Sequence, residues 1–164
     1  GFALAWVCQD FDAAAAFVDR AIAANPNLGI AWTNRAMVST LKGEHVQAIE
    51  QFERARRISP IGPDYYLTQG YLGYCHMMMG HNDEAIRFAA DAASHQPNWL
   101  VGHLVLASVH GLTGNIEAAR RSLAEVRRLN PKLRVSNADE IFWYPDAPVP
   151  SPQTEGLRLA GLPE

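Results

Sequence analysis

The chain has 164 residues, of which 48% are apolar and 19% charged, with a formal net charge of −3. This balance is that of an ordinary globular protein and excludes a disordered or collagen-like chain. The small negative charge provides no overall field for a nucleic-acid backbone, and no apolar run reaches the roughly 18 residues needed to cross a bilayer, so we predict neither a nucleic-acid nor a membrane partner.

Two cysteines, Cys8 and Cys75, are too few for a disulfide framework and indicate a reducing compartment, so we expect a cytoplasmic protein. The chain begins at Gly1 without an initiator methionine, and its first stretch, "GFALAWVC", reads as the remnant of a longer element. We interpret the chain as a piece of a larger protein.

A phrase ending in proline occurs four times, as "AIAANPN", "ARRISPI", "AASHQPN" and "VRRLNPK". Its prolines are Pro26, Pro60, Pro97 and Pro131, so the second interval is slightly longer than the first and the third, which are equal. An alanine stands twelve positions before each of these prolines. This regularity predicts an internal repeat, with a three-residue insertion before the third unit.

Each complete unit is predicted to form two helices joined by a tight turn. In "AWTNRAMVSTLKGEHVQAIEQFERARRISP" apolar residues recur at steps of three and four, the pattern of amphipathic helices. Gly43, Gly80 and Gly114 share one register and are predicted to end the first helices, because glycine tolerates a positive φ. The first unit keeps only its second helix, from about Asp12 to Ala24. The units are predicted near residues 1–28, 29–62, 63–99 and 100–133.

The second unit resembles the tetratricopeptide (TPR) repeat family through Trp32, Ala36, Ala48, Phe52, Ala55 and Pro60. The third and fourth units depart from that pattern at Gln69 and His103, where an aromatic residue is usual. The resemblance implies an all-α fold, a right-handed TPR-type α-solenoid of antiparallel helix pairs, over residues 1–131. Because such a stack is open at its end, we expect residues 132–164 to form a C-terminal cap.

The TPR resemblance also implies a concave groove lined by the first helix of each unit. Its lining is apolar and nearly uncharged, and lacks the Lys, Arg and Asn of TPR proteins that grip chaperone C-termini. We therefore predict an apolar peptide or helix as occupant, from a partner protein, from the chain's own tail or from a second copy. The predicted groove residues are Ile30, Thr33, Met37, Thr40, Leu67, Gly70, Tyr74, Met77, Val101, Leu104 and Ser108.

The stretch "CHMMMGH", residues 75–81, is rich in soft metal ligands. The repeat register places Cys75 and Met78 in core positions and Met77 and Met79 in more exposed ones. On a helix His76 points about 100° away from Cys75, so the side chains do not converge as a metal site requires. We predict packing here, with no metal and no cofactor.

His76 and His110 hold equivalent positions in adjacent first helices. We expect the two rings to pack side by side across the repeat interface, with a small pH sensitivity.

We predict no enzyme in this segment, since no catalytic constellation emerges. The acidic pair Asp83 and Glu84 is explained by a helix start, where negative charge is favourable. The basic clusters, "RARR" at 54–57 and the arginines at 120, 121, 127 and 128, are interleaved with glutamates and favour a solvated charged face.

The sequence changes character over residues 132–164. We predict a short helix after Ser136, a Pro-rich extended stretch over residues 145–152, and a final short helix capped by Ser151 with Pro152 at its first position. The aromatic run 142–144 is expected to dock on the last repeat, and we raise the hypothesis that the Pro-rich stretch enters the groove.

The final "GLRLAGLPE" is similar to the ending "GLRKAGLPE" of the C-terminal repeat region in bacterial multidomain signalling proteins. There, a class III adenylate or guanylate cyclase domain, or a winged-helix DNA-binding domain, precedes the repeats. This resemblance implies a protein-interaction or regulatory scaffold module of such a protein. The alternative that the sequence leaves open is a domain that senses a small molecule and regulates the upstream domain.

Overall fold

A computed structural model describes residues 10–141 and 151–164 of the chain, and every regular element within these ranges is helical. The "GFALAWVC" remnant, the aromatic run 142–144 and most of the Pro-rich stretch lie outside them. The described elements are α1 (Phe11–Ala24), α2 (Gly29–Leu41), α3 (His45–Ile58), α4 (Tyr65–Met78), α5 (Asn82–His95), α6 (Leu100–Leu112), α7 (Ile116–Leu129), a 3₁₀ helix (Val135–Ile141) and α8 (Pro152–Ala160).

Three glycines end the first helices of the pairs, as the sequence predicts. Gly43, Gly80 and Gly114 have φ of 73°, 75° and 74°, a left-handed conformation that glycine adopts without strain. After Gly43 and Gly80, the next amide turns back to a carbonyl five residues earlier, at 2.9 and 2.8 Å. These bonds satisfy helix-end carbonyls and reverse the chain into the second helix of each pair.

Small residues allow the helices to approach closely. Ala48, Ala85 and Ala119, which stand twelve positions before the repeat prolines, have no exposed surface in the core. A Cβ on Gly73 would lie 3.1 Å from the backbone nitrogen of Ala89 on α5. Larger side chains at these positions would force neighbouring helices apart.

The helices stack in chain order. α2 packs between α1 and α3, α4 between α3 and α5, and α6 between α5 and α7. The contact between α2 and α4 is less extensive than that between α4 and α6. None of the helices in the described residues is both long enough and apolar enough to cross a membrane.

The last helix, α8, closes one end of the stack by packing mainly on α6. Its start has the predicted form, with the Ser151 hydroxyl accepting a bond from the Thr154 amide at 3.1 Å and Pro152 in the first turn. A Cβ on Gly156 would lie only 2.2 Å from the Ser108 carbonyl oxygen on α6. The two backbones therefore meet directly, with no side chain between them.

Candidate functional site

The predicted groove residues are mostly buried by the chain itself. Nine of the eleven are buried, while Leu67 is half-buried and Ile30 is 41% exposed. Their role in binding stays a prediction, but a ligand can reach few of them. The nine buried residues are Thr33, Met37, Thr40, Gly70, Tyr74, Met77, Val101, Leu104 and Ser108.

Two later segments account for part of this burial. The Trp99 ring lies against Gly70, where an added Cβ would come within 2.2 Å of Trp99 Cζ3. Ser108 lies under Gly156 of α8. The expectation that Met77 is exposed is wrong, since its side chain is only 1% exposed. The start of α8 passes beside Met77, and both border the same surface depression.

An open cleft remains between the second and third predicted units. It has a volume of about 370 Å³ and lies where the end of α3 meets the beginnings of α2 and α4. Of the predicted groove residues, only Ile30 and Thr33 line this cleft. Its full lining is Asn27, Leu28, Gly29, Ile30, Thr33, Ala55, Arg56, Ile58, Ser59, Gly62, Pro63, Asp64, Tyr65 and Thr68.

The three-residue insertion forms one wall of this cleft. The chain turns after α3 through residues 59–64, and the Tyr65 amide bonds back to the Gly62 carbonyl at 3.0 Å to begin α4. Ile61, in the same turn, is 95% exposed. Leu28 and Ile30 at the start of α2 are 39% and 41% exposed. Large apolar side chains are thus presented to solvent on both sides of the cleft.

The polar groups inside the cleft differ in how much of their hydrogen-bonding capacity is already used within the chain. The buried Thr33 and Thr68 hydroxyls lie 3.4 Å apart, one donating to the other, which leaves further hydrogen-bonding capacity on each oxygen. Tyr65 donates to Asp91 Oδ2 at 2.6 Å, and this bond raises the pKa of its hydroxyl. Arg56 is held by Glu53 at 2.7 Å. The mutual bond therefore does not use the full hydrogen-bonding capacity of the two threonine hydroxyls, which line the cleft.

The sequence did not identify this cleft, although it contained a signal for it. The longer interval between Pro60 and Pro97 marks the insertion that forms the wall. The spacing of the prolines does not show whether the extra residues bulge outward or separate the two units. Leu28, Ser59 and Thr68 were missed for this reason.

The "CHMMMGH" stretch is packed into the core at its first residue. Cys75 is fully buried with its Sγ 3.4 Å from Thr40 Oγ1, and burial raises the pKa of its thiol to about 12. Met78 is half-buried and Met79 is 37% exposed. Within residues 10–141 and 151–164, no group of three His, Cys, Asp or Glu side chains is arranged to hold a metal.

The expected contact between His76 and His110 is wrong. The His76 ring stacks on Phe88 of α5, with centroids 5.4 Å apart, and its Nδ1 lies 3.3 Å from Nδ1 of His81. This position of a first helix faces the second helix of its own pair rather than the next unit. Burial lowers the pKa of His76, and the neighbouring His81 lowers it further.

The basic clusters are partly neutralised, as a solvated charged face requires. Glu117 bonds to Arg121 at 3.0 Å and Glu125 to Arg128 at 2.8 Å, both along α7. Such exposed pairs contribute little to stability.

Stacked antiparallel helix pairs with glycine-ended first helices define a TPR-like helical-repeat solenoid. Among solved structures this fold is shared by YrrB, "a TPR protein with an unusual peptide-binding site", with a TM-score of 0.65, 19% identity, and coverage of 96% of this chain and 79% of YrrB. The chain is also similar to PilW, a "widely conserved type IV pilus biogenesis factor", at a TM-score of 0.48 and 18% identity, with coverage of 81% and 76%. No protein-family profile and no curated protein sequence matches the chain.

Proposed function

We propose that this chain is a protein-interaction module that binds a peptide of a partner protein in the cleft between its second and third units. The observation that supports this most directly is the open cleft of about 370 Å³, flanked by the exposed apolar residues Leu28, Ile30 and Ile61. Isolated exposed apolar residues need no explanation, but a cluster beside a concave site is typical of a binding surface.

The ligand that suits this cleft is an extended segment with an apolar side chain. The side chain would enter between Ile30 and Pro63, where it removes apolar surface from water. The backbone of the segment would hydrogen-bond to the Thr33 and Thr68 hydroxyls, which line the cleft together. YrrB, which shares the fold, has a peptide-binding site, and this supports a peptide as the class of ligand.

The chain's own tail has a different role in this proposal. α8 packs over Ser108 and Gly111 of α6, at the groove-lining face of the fourth unit. It is held there by backbone contact and by a bond from the Val135 amide to the Pro163 carbonyl at 2.9 Å. We infer that α8 is a fixed cap, which confines partner binding to the other end of the concave face.

A place in a larger bacterial signalling protein is proposed from the "GLRLAGLPE" resemblance alone. In that setting the cleft would recruit a partner and thereby regulate a cyclase or DNA-binding domain elsewhere in the protein. A sensor of small molecules is the less favoured reading, because the cleft presents apolar surface along its edges rather than polar groups converging on one point.

The proposal is tested with peptides selected from a displayed random library on the folded wild-type chain. Ile30→Glu is expected to weaken binding of the selected peptides at least about tenfold, because it buries a charge against an apolar ligand. Ile30 is exposed, so the variant should fold.

Val46→Glu is the matched control, since Val46 on α3 is 60% exposed and does not line the cleft. It should bind the same peptides as tightly as the wild type. Equal affinities for the wild type and Ile30→Glu would show that the peptides bind elsewhere and would refute the proposed site.

A further inference from the structure

The fourth unit has a positive charge that the rest of the chain does not share. Between positions 100 and 134 there are six Arg and Lys and only two Glu, in a chain whose net charge is −3. Both glutamates are already engaged, with Arg121 and Arg128. Within the described part of the chain, Arg120 and Arg127 therefore have no carboxylate partner.

Arg120 and Arg127 line the same cleft, of about 650 Å³, between α7 and the C-terminal end of α8. They are seven residues apart on α7, which is two helical turns, or about 10.5 Å along the axis. Arg127 Nη2 donates to the Gly161 carbonyl at 2.9 Å, which orients its guanidinium beside the cleft. A guanidinium has five N–H donors, so this bond leaves others for a ligand.

The floor between the two arginines is apolar. Leu123 and Ala160 are 4% and 2% exposed, and Ala124 is exposed beside them. The cleft thus combines two cations at its ends with an aliphatic surface at its centre. It is separate from the cleft between the second and third units and shares no residue with it.

We propose that this second cleft binds an acidic segment of a partner protein, with an aliphatic side chain on the floor and a carboxylate at each arginine. In an extended chain of the polyproline II type, residues three apart share a face and are separated by about 9 Å, close to the arginine spacing. A nucleic acid would need a longer row of cations than two, and Glu117 and Glu125 on the same helix would repel its phosphates. An acidic peptide in the cleft would meet both arginines, and neither glutamate lines the cleft.

The test uses two acetylated and amidated probe peptides with Gly-Ser flanks. One has Glu-Leu-Ala-Glu at its centre and the other has Gln-Leu-Ala-Gln. Titration into the ¹⁵N-labelled chain at low salt should shift the Nε–Hε signals of Arg120 and Arg127 with the glutamate peptide, and binding should weaken as salt is raised. Equal affinity of the glutamine peptide would overturn the proposal.

Arginine variants distinguish binding in this cleft from general electrostatic attraction to a basic helix. Arg120→Gln with Arg127→Gln is expected to weaken the glutamate peptide about tenfold or more, the loss expected when hydrogen bonds to charged groups are removed. Arg120→Gln alone, which disturbs no hydrogen bond or ion pair of the described residues, should show part of this loss, so the result does not depend on the bond to Gly161.

The control is Arg121→Gln with Arg128→Gln, which removes the same charge from the same helix and should weaken binding much less, because neither arginine lines the cleft. An equal loss in this control would overturn the proposed cleft. So would a single-stranded oligonucleotide that binds more tightly than the peptide with the same dependence on Arg120 and Arg127. Failure of peptide selection at the first cleft would not affect these results, since the two surfaces are tested with different ligands and variants.

Discussion

One residue position illustrates how the repeat uses different side chains for one task. Trp32 Nε1 donates to the carbonyl of the proline that ends the preceding unit, at 2.8 Å, and His103 Nε2 makes the equivalent bond at 2.9 Å. Gln69, at the same register, instead donates to Asp91 at 2.7 Å. The insertion separates Gln69 from the proline by three further residues, so it bonds within its own helix pair.

The residues predicted best from the sequence are those whose role is local. Gly43 must adopt a positive φ wherever that turn is made, and Ala48 must be small wherever the helices cross. Met77 and His76 were misassigned because their surroundings depend on other segments. Met77 lies beside the start of α8, which is distant in the sequence, and the His76 ring stacks on Phe88 rather than on His110.

Three partly buried histidines give the protein a predicted pH dependence of stability. Burial lowers the pKa of His45, His76 and His110 below the ordinary value of 6.5. The unfolded chain therefore binds more protons than the folded chain as the pH falls below about 6.5. The free energy of unfolding should be greatest above that pH and should fall between pH 7 and pH 5.

His76→Phe tests the contribution of one of these rings. Phenylalanine keeps the stack on Phe88 but cannot be protonated, so the drop in unfolding free energy from pH 7.5 to pH 5.5 should be smaller than in the wild type. Urea unfolding at both pH values measures it, and the difference at pH 7.5 isolates any change in packing. An unchanged drop would mean that His76 titrates alike in the folded and unfolded chains.

At the scale of the element, most residues of the ending "GLRLAGLPE" have an identifiable role in packing or ending α8. Leu157 and Leu162 are buried, Gly161 ends the helix at φ 96°, and Arg158 bonds to Glu155 at 2.7 Å. Leu159, which replaces the lysine usual in the similar endings, is 48% exposed and therefore free to vary. In this chain the motif forms the helix that packs on α6 and its C-terminal end.

Gly156→Ala tests how closely α8 approaches α6. Helix propensity alone predicts that alanine would stabilise α8 by about 1 kcal/mol. The added Cβ would lie 2.2 Å from the Ser108 carbonyl oxygen, and backbone cannot move aside as a flexible side chain does. We expect a net loss of about 1 to 3 kcal/mol in the free energy of unfolding, measured by urea denaturation.

Leu159→Ala, on the exposed face of the same helix, is the control and should change stability by less than about 0.5 kcal/mol. A stabilised Gly156→Ala variant would show that the two helices are further apart than described.

At the scale of the whole molecule, α8 covers part of the predicted groove at the fourth unit, while an open cleft remains between the second and third units. The sequence predicted the helical stack, because the stack follows from the regular recurrence of the proline-ended phrase, whereas the groove-lining positions stay a prediction. It could not predict which lining residues stay accessible, since that depends on where α8 and Trp99 pack and on how the inserted turn bends. The proposed binding cleft results from that long-range packing rather than from any one unit.

The most direct test of the proposed peptide-binding cleft is a ¹⁵N–¹H titration of the wild-type chain with a peptide selected from the library. Binding in the cleft predicts amide shifts confined to residues 27–33, 55–59 and 62–68, which border it. Shifts confined to α6 and α7, with the cleft signals unmoved, would contradict it.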